Sequence, residues 1–154
     1  MTLDKILKWV EKELSEDRND TVHDLLAYLA EQMTEINKAK NDETEGFLKW
    51  LERELRVDVE SLASKTAIKE YHENSFNQFL DVLKRNKGKI SLNLSSRDVQ
   101  EQLEKHFSES ASRLAPIKAG LEATDELIDE IVYRLYGLTE DEINIVKGEK
   151  GTSL

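Results

Sequence analysis

Cysteine is absent from the 154-residue chain. No disulfide framework and no thiolate metal site can form, which suits a reducing, cytoplasmic setting. Proline occurs once, in Ala115-Pro116-Ile117, so the Asn/Asp-Pro-Pro-aromatic motif of amino-methyltransferases is missing. None of the six glycines makes a G-x-G pair, which removes dinucleotide and phosphate-loop cradles. No serine sits in a nucleophile elbow, and no Asp or Glu is followed two residues later by Lys, half of a common nuclease site. No apolar run approaches the ~18 residues of a membrane span, and no signal-type apolar core follows Met1. These absences predict no catalytic residue, no cofactor site and no metal site.

Charge is what the chain has in excess. Its 22 Lys+Arg stand against 32 Asp+Glu, a formal charge of −10, and charged residues are 35% of the total. So many charges with so few helix breakers predict helices with wide solvated faces. A chain of this sign is repelled by phosphate unless its basic groups are segregated, which argues against a free-standing nucleic-acid binder.

The apolar pattern predicts an all-α helical bundle, a single domain over 1–148 with a flexible tail at 149–154. Leu3, Ile6, Leu7, Val10 and Leu14 share one face of an N-terminal helix over 1–17. Residues 15–21 hold no apolar side chain and read as a turn. From Val22 a second stripe runs through Leu26, Leu29, Met33 and Ile36, and resumes at Phe47, Trp50, Leu51 and Leu55. Residues 21–55 form one long helix or two broken near Gly46, and both readings stand. Shorter helices fill 58–85, and Ile90, Leu92 and Leu94 mark a short extended connector.

The longest pattern occupies a helix over 96–137. Positions 103, 107, 110, 114, 117, 121, 124, 128, 131, 135 and 138 step four and three throughout, and only Ser110 and Thr124 are polar. That 3.5-residue period is a coiled-coil-like seam that needs a partner, with Pro116 positioned to kink it. Paired with the helix near 22–55, it would bury Leu121 and Ile131. Gly137 ends the helix, and Thr139-x-x-Glu142 caps a terminal helix over 139–147 that stops at Gly148. LKWVEKEL (7–14) and LKWLEREL (48–55) match at six of eight positions, too little to establish a repeat.

Candidate functional residues are few. Lys84, Arg85, Lys87 and Lys89 place four cations around Gly88, either dressing a helix C-terminus or contacting phosphate. Trp9, Trp50, Tyr133 and Tyr136, with Leu121, Ile128, Ile131 and Leu135, lie on or beside apolar stripes and read as packing or interface residues. His23, His72 and His106 are isolated, and Glu122, Asp125, Glu126, Asp129 and Glu130 read as a solvated helix face.

The segment Thr124 to Gly148, TDELIDEIVYRLYGLTEDEINIVKG, resembles the C-terminal end of fused type IIG-like restriction–modification adenine methyltransferases. The run Leu135-Tyr136-Gly137-Leu138-Thr139 carries the likeness, which extends upstream to Val22. Lys147 departs from it, standing where those enzymes more often have an acid. Their nuclease and methyltransferase motifs lie outside the region of likeness, so no catalytic residue transfers. The resemblance implies a non-catalytic helical accessory module docking on a methyltransferase or specificity chain, touching DNA only weakly and indirectly. The alternative is a stand-alone helical interaction or regulatory protein, self-associating or bound to another chain, with no DNA role.

Overall fold

The computed structural model describes residues 2–152, with side chains up to residue 148. Among the described residues there are six α-helices, three single 3-10 turns and no strand. The α-helices are α1 (Leu3–Ser15), α2 (Asn19–Leu55), α3 (Lys65–Lys69), α4 (Phe76–Arg85), α5 (Arg97–Leu135) and α6 (Glu140–Thr152). The fold is all-α, as the periodicity predicts.

Two compact units make up the chain. A terminal unit joins Met1–Ile36 to Gly120–Leu154, and a central unit is Asn37–Ala119. Helices α2 and α5 therefore each supply residues to both.

In the terminal unit, Leu7 and Val10 of α1, Val22 and Leu29 of α2, and Ile131 of α5 form the buried core. Thr2 caps α1 by accepting from the Lys5 amide at 3.3 Å. The turn between α1 and α2 is tighter than the seven polar residues suggest: α2 already begins at Asn19, because Asp17 takes a left-handed φ of 58° and reverses the chain at once. Gly137, at φ 71°, closes α5, with the Leu138 amide reaching back to the Tyr133 carbonyl at 3.0 Å. Thr139 and Glu142 then form the expected reciprocal cap.

The central unit packs Phe47, Tyr71, Phe79 and Phe107 as its aromatic centre. Phe47 stacks on Tyr71 at 4.1 Å between centroids, and Phe79 on Phe107 at 5.2 Å. Ile90 and Leu94 anchor the extended connector by burial, and the Ser91 amide donates to the Leu55 carbonyl.

One open choice closes and two expectations need correction. Helix α2 is unbroken through Gly46, which settles the open choice. Helix α6 continues past Gly148 to Thr152, so the tail expected from residue 149 is helical over its first part, and its last two residues lie outside the described ones. A lone Gly costs a helix only about 1 kcal/mol against Ala, too little to stop one by itself. Of the seam pair, Ile131 is fully buried but Leu121 is only half-buried. All eleven seam positions are nonetheless buried or half-buried, none exposed.

Candidate interaction surfaces

The basic loop is built by the end of α4. Lys84 and Arg85 occupy its last turn, where cations favour the helix dipole. Asn86 caps it and is 4% exposed, its side chain accepting from the Ala63 amide and donating to the Ala63 and Val82 carbonyls at 2.8–3.0 Å. Lys87 and Lys89 follow in a 3-10 turn. All four cations are exposed, and the Lys89 ammonium donates to the Ser61 carbonyl at 3.0 Å.

That contact brings in residues the sequence reading missed. Ser61 lines a depression with Lys49 and Arg53 of the α2 C-terminus and with Arg56, whose left-handed φ of 55° ends that helix, beside Glu52 and Asp58. Glu52 is already engaged, accepting from the Val59 amide at 2.9 Å. Part of the signal was present as Lys49 and Arg53 at i and i+4, on one face of a helix, with Arg56 just past its end. Charge is segregated between the units as well. The terminal unit holds 18 acids against 7 bases, and the central unit 14 against 15, so the whole chain's excess acid lies in the terminal unit.

A second surface is apolar. Ile6 and Trp9 of α1, Leu25, Tyr28 and Leu29 of α2, and Leu127 of α5 line an open groove of about 580 Å³ with Lys5 at its edge. Trp9 is 41% and Tyr28 56% exposed. Tyr28 was missed because it lies beside the Val22–Leu29 stripe rather than on it.

The other aromatic candidates separate. Trp50 is half-buried and stacks on His106 at 3.9 Å. Tyr133 is buried beside the fully buried Ile131, while Ile128 and Leu135 are half-buried. Tyr136, expected to pack beside the seam, is 78% exposed. Helix α5 ends at Leu135, so Tyr136 lies in the capping turn and off the seam face.

Two polar arrangements hold the units internally. Ser110, a polar seam position, is buried and donates to a Glu43 carboxylate oxygen at 3.0 Å, while the Tyr71 hydroxyl lies 2.6 Å from the same Ser110 oxygen. Arg113 flanks Glu43 at 3.4 Å. Burial pushes the Tyr71 phenol up to about 12, the Ser110 hydrogen bond opposing and the Glu43 charge reinforcing. In the terminal unit, buried Glu130 pairs with Arg134 at 2.6 Å and with Lys147, and Arg134 also meets Glu11 at 3.1 Å. Lys147, the odd residue of the sequence resemblance, thus has a structural partner. Burial disfavours the charged form of Glu130, but Lys147 and Arg134 outweigh it and hold the carboxyl below its usual range.

His23 is exposed and His72 half-buried, its imidazole pushed down by burial and by Lys118. Among the described residues no group of three or more His, Asp or Glu side chains could hold a metal ion. No described helix is long and apolar enough to cross a membrane.

The family model described as Domain of unknown function (DUF8810) matches residues 19–132. The chain belongs to that family. The DUF8810 span starts where α2 starts, contains the whole central unit, and stops three residues short of the end of α5. It includes the basic loop, the Tyr71–Ser110–Glu43 network and the α2 and α5 walls of the apolar groove, while the α1 wall lies outside it. No curated protein and no solved structure matches the chain.

Proposed function

We propose that the chain is a non-catalytic helical accessory module of a restriction–modification system, docking on a methyltransferase or specificity chain. The resemblance of its C-terminal segment supplies that context, and the missing nuclease and methyltransferase motifs supply the absence of catalysis. One observation carries the DNA-proximal role: the acid excess is confined to the terminal unit, while the central unit, close to neutral, exposes seven cations around Ser61 and Gly88. A uniformly −10 surface would keep phosphate at a distance. A near-neutral unit with a local cation cluster can approach it once a partner holds the duplex.

The test is a salt titration of DNA binding by the methyltransferase or specificity chain on which the module is proposed to dock, with this protein and with its variant neutralised at Lys84, Arg85, Lys87 and Lys89. The variant is expected to bind more weakly at low salt and with a slope shallower by up to ~3–4, each lost phosphate contact sparing about one counterion. Superimposable slopes return the four cations to a helix terminus. A complex that forms with superimposable slopes supports the second reading, a protein-interaction module without a DNA role, which the apolar groove favours.

A further inference from the structure

The groove of the terminal unit has charges sorted by wall. On α1, Lys5 and Lys12 flank Trp9 at i−4 and i+3; on α2, Asp24 and Glu31 flank Tyr28 at the same offsets. Those spacings place each trio on one helical face. All four charged residues are exposed, and among the described residues none is in an ion pair. Leu25, Leu29 and Leu127 line the space between the walls.

An apolar trough with a cationic wall on one side and an anionic wall on the other is the surface one helix presents to another in a charge-matched coiled coil. We infer that this groove takes one amphipathic helix of a partner protein, with an apolar stripe, an acidic flank against α1 and a basic flank against α2. The opposed walls also select one direction, because reversing the helix in the groove exchanges its flanks. A second copy of this chain is disfavoured as occupant, since docking there brings together two units that each hold 18 acids against 7 bases. The inference stands on the groove and holds whether or not the partner belongs to a restriction–modification system.

The test uses the full chain with Trp50→Phe, which leaves Trp9 as the sole tryptophan reporter. Four synthetic helices of about three heptads are titrated against it. One has a leucine stripe with a Glu flank and a Lys flank, one Lys on both flanks, one Glu on both, and one the split-flank composition scrambled to destroy the stripe. The split-flank helix should shift Trp9 emission and bind roughly three- to thirtyfold tighter than either uniform helix, as two exposed ion pairs per wall allow. Tyr28→Ala should weaken it about tenfold or more, as loss of an aromatic anchor does. Converting Lys5→Glu and Lys12→Glu, both at exposed positions, should make the all-Lys helix the best ligand.

Failure of the split-flank helix to bind, equal binding of the scrambled one, or an unchanged ranking after charge reversal would each overturn the inference. Concentration-dependent dimerisation that alone gives the Trp9 shift would also overturn it, by assigning the groove to a second copy.

Discussion

The Tyr71–Ser110–Glu43 chain makes a prediction whose sign is unusual. The single Ser110 proton goes to the Glu43 carboxylate at 3.0 Å, so the Tyr71 hydroxyl must be the donor across the 2.6 Å contact. Both residues are essentially inaccessible to water. Tyr71→Phe removes a donor while Ser110 keeps its bond to Glu43, and should cost about 1 kcal/mol. Ser110→Ala removes a charge-assisted bond and strands the Tyr71 hydroxyl where no water reaches it, at a combined ~2–3 kcal/mol. Adding Tyr71→Phe to Ser110→Ala deletes the stranded group. The double variant should therefore be more stable than Ser110→Ala by about 1 kcal/mol, where independent effects would make it less stable by the same amount.

Urea unfolding of the full chain measures this. With Trp9→Phe throughout the series, Trp50 reports the central unit alone, which matters because two compact units need not unfold together. Costs that simply add would refute the assigned hydrogen-bond direction and the dryness of the site.

The same phenol predicts an alkaline limb. Its folded-state pKa of about 12 exceeds the ordinary 10.0, so the stability it contributes is complete below pH 10 and lost as pH rises toward 12. The loss should reach roughly 2–3 kcal/mol and vanish in Tyr71→Phe, read from urea midpoints across that range. Glu130 works in the opposite direction. Its depressed pKa gives stability that is present above the ordinary 4.5 and fades as pH falls through the folded value. Glu130→Gln should flatten the decline in melting temperature below about pH 5, and an unchanged acid limb would exclude the pairing with Lys147 and Arg134. In the terminal unit, Ile131→Glu should cost ~3 kcal/mol or more by burying an unpaired charge, while half-buried Leu121→Glu should cost clearly less. Equal losses would mean that the seam is gripped evenly along its length.

What was legible in the sequence was whatever is local in the chain. The 3.5-residue seam, the Gly137 stop and the Thr139–Glu142 cap need only neighbours within a turn or two. The stretch between α2 and α4 was read only coarsely, because its turns are held by distant partners. Asn86 fixes Ala63 from 23 residues away, and Ser110 is tolerated in an apolar seam because Tyr71, 39 residues back, supplies its hydrogen bond. The charge partition was hidden for a similar reason. The acidic unit is assembled from the two ends of the chain, so no window of sequence contains it. Trp9 and Tyr136 were read together with Trp50 and Tyr133 as packing or interface residues because periodicity reports which face points inward and says nothing of whether a neighbour arrives to cover the rest.

The near-repeat of α1 and α2 shows how far local pattern reaches. LKWVEKEL and LKWLEREL keep the same inward register: Val10 and Leu51, at equivalent positions, are both 0% exposed. Outward, the equivalence ends. Glu11 pairs with Arg134 across helices, whereas its counterpart Glu52 accepts the Val59 amide and holds a 3-10 turn. Trp50 is sheltered by Phe47 and His106, whereas Trp9 has open groove on its outer side. An indole left 41% exposed by a fold that covers its twin is the feature to expect where a partner's side chains, rather than the chain's own, complete the packing.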